Sequence, residues 1–152
     1  MKKDETRKLY AAYGSNMNMA QMAMRCPKAR LVGVGFVDGY KLNFRGWPGR
    51  GVATIEPTSE DGARVPVVVW SLTKSDEAAL DRYEGWPRLY RKELVSVQME
   101  PDGREIEAMA YVMSEGRPEA RPSRLYFHCI WDAYNDFCLD DTDLIAAAIK
   151  KF

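Results

Sequence analysis

Two short stretches carry residue types that can do chemistry. In Tyr13-Gly14-Ser15-Asn16 a strand-like run stops at a glycine and a helix-like run follows. Such a join leaves backbone N–H groups unpaired at the positive end of a helix dipole, a seat for a carboxylate or a phosphate. The same residues also serve ordinary turn-and-cap chemistry. Farther along, Glu84 closes a helical pattern beside Tyr83, Trp86 and Leu89. Partial burial and the negative end of the helix dipole both push a carboxyl's pKa upward there, toward a useful general base. Its competing reading is a glutamate standing in water before a C-terminal glycine.

The thiols and the histidine offer less. Cys26, Cys129 and Cys138 are an odd number without C-x-x-C spacing, and the only histidine is His128, so the ligands of a structural zinc are lacking and the thiols read as reduced and mostly structural. A cysteine-histidine couple can form a nucleophile, but neighbours on a helix point about 100° apart. His128 and Cys129 therefore read as one exposed and one core residue. Tyr126 is either a core aromatic of the last long helix or a hydroxyl reaching a pocket, and the residues alone favour the core.

The elements that position these groups follow from periodicity. Leu9 to Tyr13 reads as a short strand, and Asn16 to Cys26 as a helix with Met19, Met22, Ala23 and Cys26 on one stripe and Asn18, Ser15 or Asn16 as its cap. Arg30 to Phe44 reads as one bulged and strongly bent strand interrupted by Gly33, Gly35 and Gly39. Arg45 to Gly51, punctuated by glycine and proline, reads as a loop. Strands are expected at Val52 to Glu56 and Val65 to Leu72, and a hairpin joins Tyr90 to Met99 with Ile106 to Met113 across Asp102-Gly103. Thr73, with Asp76 three residues on, caps a helix that ends at Glu84 before Gly85. Ser123 caps another, with Leu125, Tyr126, Cys129, Ile130, Ala133 and Phe137 on its apolar stripe, and a last helix covers about Thr142 to Lys150. This mixture specifies an α+β domain whose sheet curls into a partial or closed barrel.

Composition narrows the function classes. A chain of 152 residues with 46% hydrophobic content fits one compact domain, which at this size buries about 70% of its unfolded surface. Lys plus Arg and Asp plus Glu each total 22, so no charge surplus draws nucleic acid from a distance. The charged run Met1 to Lys8 lacks the apolar segment of a secretory signal, and no stretch approaches the roughly 18 apolar residues of a membrane span. The Lys-Lys-Phe ending matches no lipidation or retention signal. With reduced cysteines, these features point to the cytosol, and to no membrane or nucleic-acid partner.

Taken together, Tyr13-Gly14-Ser15-Asn16-Met17, Val52-Ala53-Thr54-Ile55, Leu80-Asp81-Arg82-Tyr83-Glu84-Gly85, Tyr90-Arg91 and Pro122-Ser123-x-x-Tyr126 resemble the γ-glutamylcyclotransferase family in order and approximate spacing. The resemblance spans about Leu9 to Phe137. It implies a small mixed α/β barrel with flanking helices, a carboxylate cradle at Tyr13, Gly14, Ser15 and Asn16, Glu84 as acid/base, and Tyr126 as a pocket hydroxyl. It further implies cyclisation of a small γ-glutamyl amide to 5-oxoproline and a free amine, with no cofactor and no metal. One departure lies beyond Ile130, where this chain has Asp132, Ala133 and Tyr134 in place of the family's common Gly-Ala. Arg45, Trp47, Arg50, Trp86 and Arg88 sit on expected loops that could read the leaving group. Glutathione is the weaker substrate choice, because glutathione-specific relatives tend to differ after Tyr-Gly-Ser. The alternative from another class is a non-catalytic binding protein that keeps the fold and pocket.

Overall fold

In the computed structural model, which describes residues 6–150, five strands close into a barrel in the order β1-β5-β2-β6-β7. These are β1 (Lys8–Ala12), β2 (Arg30–Asp38), β5 (Arg64–Leu72), β6 (Tyr90–Met99) and β7 (Glu105–Met113). Neighbouring strands run antiparallel except at the seam, where β1 meets β7 in parallel through Tyr10 and Met109. The readings on residues 1–5 and on the last two residues lie outside the described residues.

Burial follows strand position. On β6, Val95, Val97 and Met99 are buried while Leu94 and Ser96 are exposed, the period of two expected of a strand with one face in water. On β5, Val67, Val68, Val69 and Trp70 are all buried, because this strand is covered on both faces.

The hairpin β3 (Tyr40–Trp47) and β4 (Arg50–Pro57) forms a separate two-stranded sheet. This corrects two expectations. Arg30 to Phe44 is not one bent strand: a bulge does fall between Leu31 and Gly33, but Gly39 takes a φ of 78° and ends β2, a left-handed turn that glycine adopts without a Cβ clash. Nor is Arg45 to Gly51 a loop, since Gly46 pairs with Gly51 and Trp47 with Arg50. Only Pro48-Gly49 turns, so the glycines that suggested a loop lie within a tight hairpin.

Four helices flank the sheets: α1 (Met19–Arg25), α2 (Lys74–Glu84), α3 (Arg124–Asp136) and α4 (Thr142–Ala148). The first begins later than expected, because Ser15–Met17 forms a separate 3-10 turn and Asn18 then caps α1 by accepting from the N–H groups of Ala20 and Gln21. Met22 and Cys26 are buried, whereas Met19 and Ala23 face water. The Thr73–Asp76 capping box of α2 is complete. Its far end is a Schellman turn, with Trp86 N–H donating to Asp81 O at 3.0 Å and Gly85 N–H to Arg82 O at 3.3 Å. Ser123 caps α3 as expected, but Leu125 stands 87% exposed. It precedes the buried stripe of Ile130 and Ala133 by a turn that packs through Tyr126 and Phe127. Among the described residues, no helix is long and apolar enough to cross a membrane.

Candidate active site

The 3-10 turn sits where β1 leaves the barrel. Its first internal bond runs from Met17 N–H to Gly14 O, 3.0 Å, so the N–H groups of Ser15 and Asn16 have no partner within the turn. Gly14 caps it without a side-chain hydrogen bond. A Cβ on Gly14 would stand 3.3 Å from both Ala53 Cβ and the Tyr126 hydroxyl, which is why the position suits a residue without one.

Glu84 reaches the same place from the C-terminal end of α2. Tyr111 fixes that helix to the barrel by donating to Asp81 Oδ1 at 2.6 Å, and Lys92 spans Asp81 and Glu77 at 2.9 Å each. A cavity of about 190 Å3 then collects Tyr13, Gly14, Ser15, Asn16, Glu84 and Tyr126. The six residues that the resemblance assigns to the site thus line one cavity. Its size suits a fragment of amino-acid dimensions, below the several hundred Å3 of sites for larger ligands.

Burial pushes the Glu84 carboxyl up from the ordinary 4.5 to about 7, and the Arg25 guanidinium partly offsets this. Asn16 Nδ2 donates to Glu84 Oε1 at 3.3 Å and to the Tyr10 hydroxyl at 3.0 Å. Its main-chain oxygen accepts from Trp70 Nε1 at 2.9 Å. A carboxyl with this pKa exists in both protonation states near neutrality and can take a proton and return it.

Tyrosines make up most of the remaining wall. Burial, with the nearby Glu84 charge, raises the phenols of Tyr10, Tyr13 and Tyr90, and burial does the same to Tyr126. They are therefore neutral hydroxyls. Ala53 orients two of them: its N–H donates to the Tyr126 hydroxyl at 3.0 Å and its carbonyl accepts from Tyr90 at 2.6 Å. The Tyr13 hydroxyl donates to the Tyr111 carbonyl. Tyr126 is consequently a cavity hydroxyl as well as a packed aromatic, with its ring edge-on to Phe44.

Sequence reasoning missed Tyr10, Tyr90 and Tyr111 as parts of this wall, and Arg25 as the charge beside it. Tyr10 and Tyr111 carry the apolar pattern of strand interiors, and Arg25 reads as an ordinary basic residue in a last helical turn. Conversely, none of Arg45, Trp47, Arg50, Trp86 and Arg88 lines the cavity. Arg45 is paired with Glu56 and donates to the Arg117 carbonyl at 2.9 Å, and Trp86 lies under the Lys92 ammonium, 4.1 Å from its ring centroid. His128 is exposed, and Cys129 is half-buried with its thiol 3.8 Å from Ser15 O.

A closed mixed barrel with helices on its flank, holding one desolvated carboxyl beside a turn with unpaired N–H groups, defines a class of small α+β barrel proteins whose cavity is built around an ionisable carboxyl. The gamma-glutamyl cyclotransferase, AIG2-like family model matches residues 10–133, and the chain belongs to that family of enzymes. Human gamma-glutamylcyclotransferase is 34% identical over 81% of this chain and 68% of its own length. The bovine protein of that name is 33% identical over 70% of this chain, which spans 59% of the bovine one. A solved structure named gamma-glutamyl cyclotransferase superposes with a TM-score of 0.83 at 28% identity, covering 97% of this chain and 90% of that one.

Proposed function

We propose that the protein cleaves a γ-glutamyl amide by intramolecular cyclisation, releasing 5-oxoproline and a free amine or amino acid, with Glu84 as the general acid/base. The observation that carries this reading is the desolvated Glu84 carboxyl, titrating near 7 within the cavity that the Tyr13–Asn16 turn lines.

In such a substrate the α-amine can close a five-membered ring onto its own side-chain carbonyl, so the nucleophile comes at high effective concentration and the enzyme has only to fold the substrate correctly. The unpaired N–H groups of Ser15 and Asn16 take the α-carboxylate. Glu84, as carboxylate, accepts a proton from the α-ammonium, and the freed amine attacks the γ-carbonyl carbon. A C–N bond forms and the carbonyl oxygen becomes an oxyanion, stabilised by fixed donors of the wall. Collapse breaks the original amide C–N bond: Glu84 gives its proton to the departing nitrogen, then takes the second proton from the new ring nitrogen, which leaves a neutral lactam, and passes it to the released amine, which departs as an ammonium. Atoms and protons balance, and the carboxyl ends in its starting state. The Tyr126 hydroxyl, fixed by Ala53 N–H, keeps its own proton free to donate to the substrate. A cavity of about 190 Å3 is of a size for the glutamyl part.

The test is 5-oxoproline release from a panel of γ-glutamyl amino acids, γ-glutamylamines and glutathione, with wild type and Glu84→Gln side by side. Wild type releases 5-oxoproline and Glu84→Gln loses at least 100-fold, the lower range of a general acid/base contribution of roughly 10²–10⁴. Activity that survives in Glu84→Gln removes the acid/base assignment, and no release from any substrate favours a binding role.

A further inference from the structure

The reaction scheme leaves one charged group beside the site unused. Arg25, in the last turn of α1, places its guanidinium 3.5 Å from the Tyr83 ring centroid and donates to Asn16 Oδ1 at 2.6 Å and, more weakly, to Ser15 Oγ at 3.5 Å. A guanidinium has donors only. The Asn16 atom that meets it must therefore be the carboxamide oxygen, which obliges the NH2 end to face Glu84 and Tyr10.

We infer that Arg25 is a positioning residue for Glu84: it holds the Asn16 carboxamide with its donor end on the carboxyl and so favours the carboxylate, the form that accepts the substrate's proton. The inference rests on the acid/base reading above. Without Arg25 the carboxamide can reverse and set Oδ1 against Glu84, an arrangement that repels a carboxylate and accepts a hydrogen bond from a carboxylic acid. Loss of the positive charge acts in the same direction. The groups that face Glu84 from the other elements are the phenols of Tyr10, Tyr13, Tyr90, Tyr111 and Tyr126. All are neutral, so Arg25 is the charge that acts on this carboxyl. The ring of Tyr83 keeps the guanidinium over the turn, and its hydroxyl lies 3.2 Å from Ser15 Oγ.

The experiment is the pH profile of kcat/KM for wild type, Arg25→Gln and Arg25→Lys, with the Glu84 carboxyl titrated by 13C NMR in each. In Arg25→Gln the acid limb and the carboxyl titration both move upward by roughly one pH unit, while Arg25→Lys, which keeps a charged donor, restores most of the shift. Arg25→Met keeps the aliphatic stem over Tyr83 and replaces Arg25→Gln if that variant does not fold. A limb and a titration that stay in place in a folded, charge-removed variant overturn the inference, as does a loss of activity with an unmoved profile. The NMR titration reads Arg25's effect even where no substrate turns over, so failure of the reaction reading and failure of this inference are separate results.

Discussion

A carboxyl that titrates at about 7 in the folded protein and near 4.5 in the unfolded chain binds more protons folded than unfolded between those values. The stability linked to Glu84 is therefore fully present below about pH 4.5 and is lost as pH rises through 7. At pH 8 the loss is on the order of 2 kcal/mol, allowing for the solvent that reaches a half-buried group. Glu84→Gln removes that charge. Scanning calorimetry should find the variant more stable than wild type at pH 8 by roughly 4–8 °C in Tm, with the difference closing toward pH 4. Wild-type kcat/KM should fall on the acid side with a midpoint near pH 7, where the carboxylate takes up its proton. A variant that melts higher yet turns over less is the signature of a group held against its solvation preference for function.

The two ends of α2 make different contributions. Thr73 accepts from Asp76 N–H at 3.2 Å, and the Asp76 side chain accepts from Thr73 N–H at 3.0 Å; both termini are stabilised by caps, but only the C-terminal one carries Glu84. Thr73→Ala is expected to cost about 1 kcal/mol and to leave kcat/KM for 5-oxoproline release within about twofold of wild type. Gly85 has a φ of 68°, where an added Cβ costs about 1–2 kcal/mol. Gly85→Ala should show a similar drop in urea-unfolding stability together with a clear loss of kcat, because relaxing the Schellman turn moves the carboxyl beside it. Equal effects of both variants on turnover would contradict this division.

At the scale of the whole molecule, the cavity depends on how the β3-β4 hairpin docks on the rest. Residues 118–121 lie along it, with Ala120 N–H donating to Phe44 O at 3.1 Å and Gly51 N–H to Arg121 O at 2.9 Å. The contact at Gly51 is close enough that an added Cβ would lie 2.0 Å from Ala120 O. Two backbones cannot separate there without moving β4, and Ala53, two residues on, holds the hydroxyls of Tyr90 and Tyr126. Gly51→Ala should destabilise the protein by about 3 kcal/mol or more, read as a lower urea midpoint, and should weaken turnover in whatever fraction remains folded.

The same hairpin marks the boundary of what local pattern could say. The alternation of β6, the capping box of Thr73, the glycine stop after Glu84 and the Asp102-Gly103 turn are local signals, each decided within a few residues by sterics, hydrogen bonding or hydrophobic period. The sequence by itself therefore determined which elements form over most of the chain, the α+β class, and two short motifs with chemistry. It could not tell a glycine-punctuated loop from a tight hairpin at Arg45 to Gly51, because that depends on whether cross-strand partners exist. Closure of the barrel through Tyr10 and Met109, the gathering of tyrosines from β1, β6, β7 and α3, and the contact of Arg25 with Asn16 were decided only by the tertiary structure. Each joins residues distant in the chain or on separate elements, and the desolvation that raises Glu84 is a property of that shared enclosure.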